Sequence, residues 1–194
     1  MPSPRVVALA RFTSIAGHPF VFMPAAIAFS GVSRPDAAPP GSAWAIAGVV
    51  ALGMLAIGAY VALGLRAGRW TDVDVSVREH RGGLYRVSLA ATAAATIAFR
   101  VTGPPIGVRG SLIAFVLVLV SAIVNLRLKI SLHVAFAAYA VGIAGGRRPE
   151  VLVLASLVAL AIAWSRLVLR RHTLAEVVAG AIAGAIAGAA FVLA

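Results

Sequence analysis

Three short clusters of polar residues interrupt an otherwise apolar chain. The first spans residues 72–81 and holds two aspartates, a glutamate, a histidine, a serine and two arginines. The second spans 129–133 and holds a lysine, a serine and a histidine, and the third spans 165–176. Imidazole, guanidinium, hydroxyl and carboxylate groups are the set with which proteins bind and transfer phosphoryl groups. Phosphoryl chemistry is therefore the first hypothesis.

The third cluster has the most informative spacing. His172 and Glu176 are four residues apart, so on a helix they share a face and the carboxylate can accept a hydrogen bond from the imidazole. That contact fixes the ring and leaves its other nitrogen free to attack a substrate. Arg166 adds a planar cation suited to phosphate, and Ser165 adds a hydroxyl donor. From spacing alone a structural interpretation stays open, in which Arg171 and His172 end a membrane span and Glu176 closes a salt bridge.

The composition indicates which elements position these clusters. Of 194 residues, 61% are hydrophobic and 12% are charged, whereas soluble domains have about 25% charged residues. The apolar residues form runs of about 16 to 24, and a helix needs about 20 to cross the hydrocarbon core. The runs lack the two-residue alternation of a membrane barrel. We expect an all-α membrane bundle and one domain over residues 1–194.

The order of the apolar runs predicts where the clusters lie. We place seven spans, or six if the short fifth run is partly re-entrant, near residues 13–32, 43–65, 84–102, 110–128, 131–146, 150–169 and 173–193. A loop rich in proline joins the first two spans at 33–42. If each run crosses once, two crossings separate each polar cluster from the next. All three clusters then lie on one side of the membrane.

The last run carries small residues at four-residue spacing, namely Gly180, Gly184 and Gly188. This spacing puts them on one helix face and lets another helix approach closely. We favour packing inside the chain, with a homo-oligomer through this face as the alternative.

The clusters resemble the three signatures of one superfamily. Residues 165–176 read Ser-Arg-x5-His-x3-Glu, which resembles the Ser-Arg-x5-His-x3-Asp signature of the type 2 phosphatidic acid phosphatase superfamily. Residues 129–133 look like a variant of its Pro-Ser-Gly-His signature. Residues 74–81 occupy the place of its Lys-x6-Arg-Pro signature. The resemblance covers about residues 70–193.

This resemblance implies a metal-independent lipid phosphatase that needs no cofactor. His172 would attack phosphorus and form a phosphohistidine, oriented by Glu176, and His133 would protonate the leaving alkoxide. The groups that would hold the phosphoryl oxygens are Arg81, Arg166 and the hydroxyl of Ser131. The substrate would be a polyprenyl phosphate or diphosphate, or a phosphorylated glycerolipid. Two alternatives stay open: a lipid phosphotransferase and a non-catalytic membrane scaffold.

The sequence also departs from the family pattern. Asp74 stands where the family has lysine, so one phosphate cation is missing. Lys129 could replace it, with Arg78 as the second candidate. Asp72 and Asp74 could bind Mg²⁺, but we favour supporting ion pairs and expect no metal. The partners that we expect for those ion pairs are Arg66, Arg69, Arg78 or Lys129. His18 is interpreted as a residue buried in the first span.

The net charge of +11 indicates orientation and contact with anionic lipid head groups, not nucleic-acid binding. The predicted topology puts 12 basic residues on the side of the clusters and five on the opposite side. Without the proposed site cations the ratio is nine to five. Loops rich in arginine stay cytoplasmic, so we expect the site on the cytoplasmic face of the inner or plasma membrane of a bacterium.

Overall fold

A computed structural model describes residues 2–33, 42–146 and 148–193. These residues form helices and no strand. The helices are α1 (Pro4–Ala16), α2 (Pro19–Ser33), α3 (Ser42–Arg66), α4 (Arg81–Thr102), α5 (Pro105–Val124), α6 (Leu132–Gly145), α7 (Pro149–Val168) and α8 (Leu174–Leu193). One 3-10 turn, Arg78–His80, precedes α4. The predicted all-α bundle is confirmed.

Most of these helices are membrane spans by length and composition. Among the described residues, α3, α4, α5, α7 and α8 are each long and apolar enough to cross a bilayer. α1 and α2 together make a sixth candidate, bent by 53° where they join. α6 has 14 residues and is shorter than the roughly 20 that a straight crossing requires. The chain is therefore a multi-pass membrane protein.

The prediction of one continuous first span over 13–32 is wrong. The helix already begins at Pro4, and it breaks after Ala16. The Gly17 amide donates to the Thr13 carbonyl at 2.9 Å and ends α1. Pro19 has no amide hydrogen and so starts a new helix instead of extending the old one. The other predicted boundaries agree within a few residues, and most of the proline-rich loop at 33–42 lies outside the described residues.

The centre of the bundle is α6, in which ten of 14 residues are buried. It packs against α2, α7 and α8. The closest contact is with α8, where the three glycines of the small-residue face lie against the α6 backbone. A Cβ at Gly184 would collide with the Ala135 carbonyl oxygen. This face is therefore used inside the chain, as favoured, and a dimer could use it only by displacing α6.

The loop between α3 and α4 is held by contacts that are distant in sequence. The indole nitrogen of Trp70 donates to the Val61 carbonyl at 3.0 Å. Val75 is fully buried and has φ +45°, a conformation that is costly for a β-branched residue. The Arg81 guanidinium donates to the carbonyls of Val75 and Ile130, each at 2.9 Å. Arg81 therefore joins this loop to the start of α6.

Candidate functional site

The three polar clusters meet at one end of the bundle. A carboxylate oxygen of Asp74 lies 2.8 Å from Arg166 Nη2, which joins the first cluster to the third. The Ser131 amide donates to the Glu176 carbonyl at 3.2 Å, which joins the second to the third. The structure thus brings together the segments that the order of the spans placed on one side.

His172 and Glu176 form the predicted pair at the start of α8. Glu176 Oε2 lies 2.9 Å from His172 Nδ1. The same oxygen accepts the Thr173 amide at 3.1 Å, and the Thr173 hydroxyl accepts the Glu176 amide at 3.3 Å. This reciprocal contact is a capping box, which satisfies amides at the helix start. Glu176 therefore both begins α8 and holds the ring of His172.

The surroundings of His172 keep its ring neutral. Its side chain is 1% exposed. Burial, together with the positive charges of Arg81, Arg166 and Lys129, lowers the pKa of His172 to about 4. With Glu176 on Nδ1, the tautomer with the proton on Nδ1 presents Nε2 as the nitrogen with a free lone pair. A neutral imidazole of this kind can act as a nucleophile at neutral pH.

Three buried polar atoms beside this pair have no hydrogen-bond partner in the described part of the chain. They are Ser131 Oγ, His133 Nε2 and Arg166 Nε. Buried polar atoms are nearly always paired in folded proteins, because an unpaired one costs about 1–3 kcal/mol. All three belong to residues that the sequence assigned to the site. They leave the cluster with donors and acceptors that no described residue uses.

Arg166 is not free, because its charge is matched inside the protein. Its guanidinium donates to Asp74 Oδ2 at 2.8 Å and to the Ser14 hydroxyl at 2.6 Å. Burial opposes ionisation of Asp74. Interactions with His133 and Arg166 nevertheless hold the pKa of the Asp74 carboxyl below its usual value. A phosphoryl oxygen would have to share Arg166 with this carboxylate.

The expected partners of the two aspartates are corrected by the structure. Asp74 pairs with Arg166, and Arg171 Nε lies 3.7 Å from the same carboxylate. Asp72 lies 3.5 Å from Arg171 Nη1 and accepts hydrogen bonds from the Asp74 amide and the Ser76 hydroxyl. The two aspartates thus pair with arginines of the third cluster and not with the partners expected from the sequence. The reason is that the fold places the junction between α7 and α8 over the loop.

The remaining predicted cations differ in position. Arg81 donates to three backbone carbonyls and makes no ion pair with a carboxylate within the described part of the chain. Lys129 Nζ donates to the Arg171 carbonyl at 2.9 Å and lies 3.9 Å from Glu176. Arg78 instead pairs with Glu79 at the surface and donates to the loop before α6. Of the two candidates for the missing cation, the structure brings Lys129 to the site.

Ser165 has no direct part in this arrangement. Its hydroxyl is fully buried and donates to the Ile162 carbonyl, one turn earlier in α7, at 2.7 Å. It supports the helix that carries Arg166.

The sequence analysis missed one site residue, His18. It was placed inside a continuous span, but it lies at the break between α1 and α2, with its ring 4.6 Å from that of His133 in an edge-to-face arrangement. The Phe20 amide donates to His18 Nδ1 at 3.3 Å. The signal was the sequence Gly17-His18-Pro19, in which glycine and proline mark a helix break.

Within the described ranges, His18, Asp74 and His133 form a group that could hold a metal ion. Their ligand atoms lie within 4.8 Å of one another, and two imidazoles with a carboxylate are a common ligand set. The surroundings fit a cation poorly, however. The carboxylate is already bonded to Arg166, and Arg171 lies beside it. A dication would be repelled by both guanidinium groups, so the cluster is better suited to an anion.

Compared with known proteins, the chain matches no family model, no curated protein and no solved structure.

Proposed function

We propose that this protein is a lipid phosphate phosphatase that works through a phosphohistidine intermediate. The observation that carries the proposal is the neutral His172, which Glu176 orients among the charges of Arg81, Lys129 and Arg166. A nucleophile beside several cations suits an anionic electrophile, and a phosphate ester is such an electrophile. The membrane-embedded fold favours a substrate that is itself a membrane lipid.

The first chemical step transfers the phosphoryl group to the protein. His172 Nε2 attacks phosphorus, and the bond from phosphorus to the lipid oxygen breaks. His133 gives a proton to the departing alkoxide, and the anionic phosphate bound beside it favours the protonated imidazole that this step needs. The Ser131 hydroxyl and Arg166 Nε, both without partners in the described chain, would contact the phosphoryl oxygens.

The second step releases phosphate. Water attacks the phosphohistidine, and His133, now neutral, accepts its proton. The bond from phosphorus to His172 breaks, and inorganic phosphate leaves. The lipid alcohol and phosphate are the products, and both histidines return to their starting states.

A second candidate, a non-catalytic scaffold, is favoured by one specific observation. Arg166 is neutralised by Asp74, and Arg81 donates to carbonyls that tie two loops together. Both arginines thus have structural uses.

An assay of phosphate release by the detergent-solubilised protein separates the candidates. The substrates are polyprenyl phosphates, polyprenyl diphosphates and phosphorylated glycerolipids. The phosphatase predicts release from at least one class that is lost in His172→Ala, and the scaffold predicts none. Adding alcohol acceptors tests phosphotransfer as the alternative fate of the phosphohistidine.

We also propose that the site faces the cytoplasm, because the side that carries it holds more arginine after the site cations are subtracted. The chain has no cysteine, so single cysteines at Ser76 and Ser42 can be labelled with a membrane-impermeant thiol reagent in intact cells. We expect labelling at Ser42 and not at Ser76. The reverse pattern would put the site on the outer face.

A further inference from the structure

An apolar cavity of about 120 Å³ lies among α2, α3, α4, α5 and α6. None of the described residues that line it is charged. Three of its hydroxyl groups, on Thr92, Ser111 and Tyr139, already donate to backbone carbonyls. Its walls therefore offer an occupant mainly van der Waals contact.

The cavity is elongated along the bundle. On α3 its lining runs from Ser42 to Ile57, which is about 22 Å of helix at 1.5 Å per residue. That is roughly two thirds of the hydrocarbon core of a bilayer. Ser42 is at the end of α3 remote from the site, so the cavity runs from the far end of the bundle towards the site.

One end of the cavity lies on the side of the bundle that carries the imidazoles. Phe136, which lines the cavity, is three residues after His133 on α6, so about one helical turn separates them. Met23, also in the lining, follows His18 by five residues across the break between α1 and α2. Methionine is flexible and adapts to irregular neighbours. Met23 and Phe136 therefore mark the end of the cavity that is nearer the polar cluster.

Small residues make the cavity possible. Gly53 on α3 faces Ala91 on α4, and a Cβ built on Gly53 would lie 3.8 Å from that alanine, an ordinary contact. A larger residue would fit at position 53 without a backbone clash, yet the chain keeps the space open. Protein interiors are close-packed and contain few voids larger than a water molecule.

We propose that this cavity binds the hydrocarbon chain of the substrate, so that the lipid is held with its phosphate at His172 and one long acyl or isoprenoid chain inside the bundle. The proposal rests on the proposed phosphatase function and specifies its substrate as a phosphate ester with a long single chain. With the phosphate at the imidazoles, the first few carbons of the ester span the helical turn above the cavity, and only the later carbons of a long chain lie inside it. A chain left in the surrounding bilayer would not need this space.

Gly53→Leu tests the proposal, with Gly48→Leu on the same helix as the matched control. Gly48 is exposed, and a Cβ there meets nothing within 4 Å. An isobutyl group at 53 fills the cavity, so kcat/KM for hexadecyl phosphate should fall about tenfold or more, since hydrophobic pockets discriminate by that amount per displaced methylene. Butyl phosphate, which does not reach the cavity, should be affected less than twofold. Gly48→Leu should change neither. Equal loss for both esters, or none for either, overturns the proposal.

A second measurement does not depend on hydrolysis. Hexadecylphosphonate carrying a diazirine near the chain end cannot be hydrolysed, and light attaches it to whatever the chain touches. We expect attachment to cavity residues such as Met54, lost in Gly53→Leu. Attachment only to Leu52 and Leu55, which are 67% and 68% exposed on the same helix, would mean that the chain stays in the surrounding lipid and would overturn the proposal. Cavity labelling without any hydrolysis would keep the chain site and reject the phosphatase.

Discussion

Two segments face each other across the candidate site, and they are built in opposite ways. The start of α8 is assembled from neighbours in sequence, because Thr173 and Glu176 cap the helix and Glu176 also holds His172. The loop before α4 is assembled from distant partners. Asp74 bonds to Arg166, and Arg81 bonds to the carbonyl of Ile130.

The two segments therefore contribute different properties to the site. One sets the geometry of His172, and the other sets the positive charge. The local segment holds the proposed nucleophile in a geometry that depends on few other residues. The loop sets how much positive charge the site presents, because Asp74 pairs with Arg166 while Arg81 makes no ion pair among the described residues. Substitutions in the two segments should therefore have different signatures, the first in turnover and the second in anion affinity.

The largest effect is expected at Glu176. Glu176→Gln keeps an amide oxygen for the capping box but removes the carboxylate charge that orients the His172 ring, so kcat should fall about 100-fold with the melting temperature nearly unchanged. Glu176→Ala should lose similar activity and also about 1 kcal/mol in the free energy of unfolding, because the cap is lost. Equal stability of the two variants would show that the capping box contributes nothing measurable.

A smaller effect of opposite sign is expected at Asp74. Asp74→Asn removes the carboxylate that competes for Arg166, so vanadate, a tetrahedral oxyanion, should bind about tenfold more tightly, which is about 1.4 kcal/mol. Isothermal titration calorimetry measures this directly. The buried Arg166 also loses its counter-ion, so the variant should melt earlier and regain stability when vanadate is added. Glu79→Gln, which removes an exposed carboxylate nearby, is the charge-matched control. Weaker vanadate binding to Asp74→Asn would make Asp74 a support of the anion site instead of a competitor.

The smallest effect is the pH dependence, to which both segments contribute. His172 must be neutral to attack, and its pKa is lowered to about 4 by burial and by Arg81, Arg166 and Lys129. At saturating substrate, protonation of His172 should therefore lower kcat only near pH 4. It should not lower kcat near the usual histidine pKa of about 6.5. Lys129→Met removes a positive charge, so the pKa of His172 should rise and the acid limb should move to higher pH. An acid limb that stays in place in Lys129→Met would exclude this lysine from the electrostatics of the site.

The same contrast explains what the sequence could predict. The helical bundle and most of its spans, though not the broken first one, follow from apolar runs, and the pairing of His172 with Glu176 follows from four-residue spacing. The packing of Gly184 against α6 follows from the small-residue stripe. These are local patterns, and each appears in the structure.

Other features depend on contacts that no local pattern encodes. The partner of Asp74 is Arg166, 92 residues away, and Arg166 also bonds to Ser14, 152 residues away. Charged side chains in the loop could have paired with several nearer partners, and the fold decides among them. His18 reaches the site only because the first span breaks beside it. Its Gly-His-Pro sequence indicated the break but not the neighbour.

Trapping of the phosphohistidine tests the central claim most directly. Wild-type protein mixed with ³²P-labelled lipid phosphate and quenched in base should carry label that is stable to base and released by acid. His172→Ala should carry none. His133→Ala given an activated aryl phosphate should accumulate more label than wild type, because that leaving group needs no proton while hydrolysis of the intermediate still needs a base. Equal label on wild type and on His172→Ala would contradict the account. So would the absence of label from both wild type and His133→Ala.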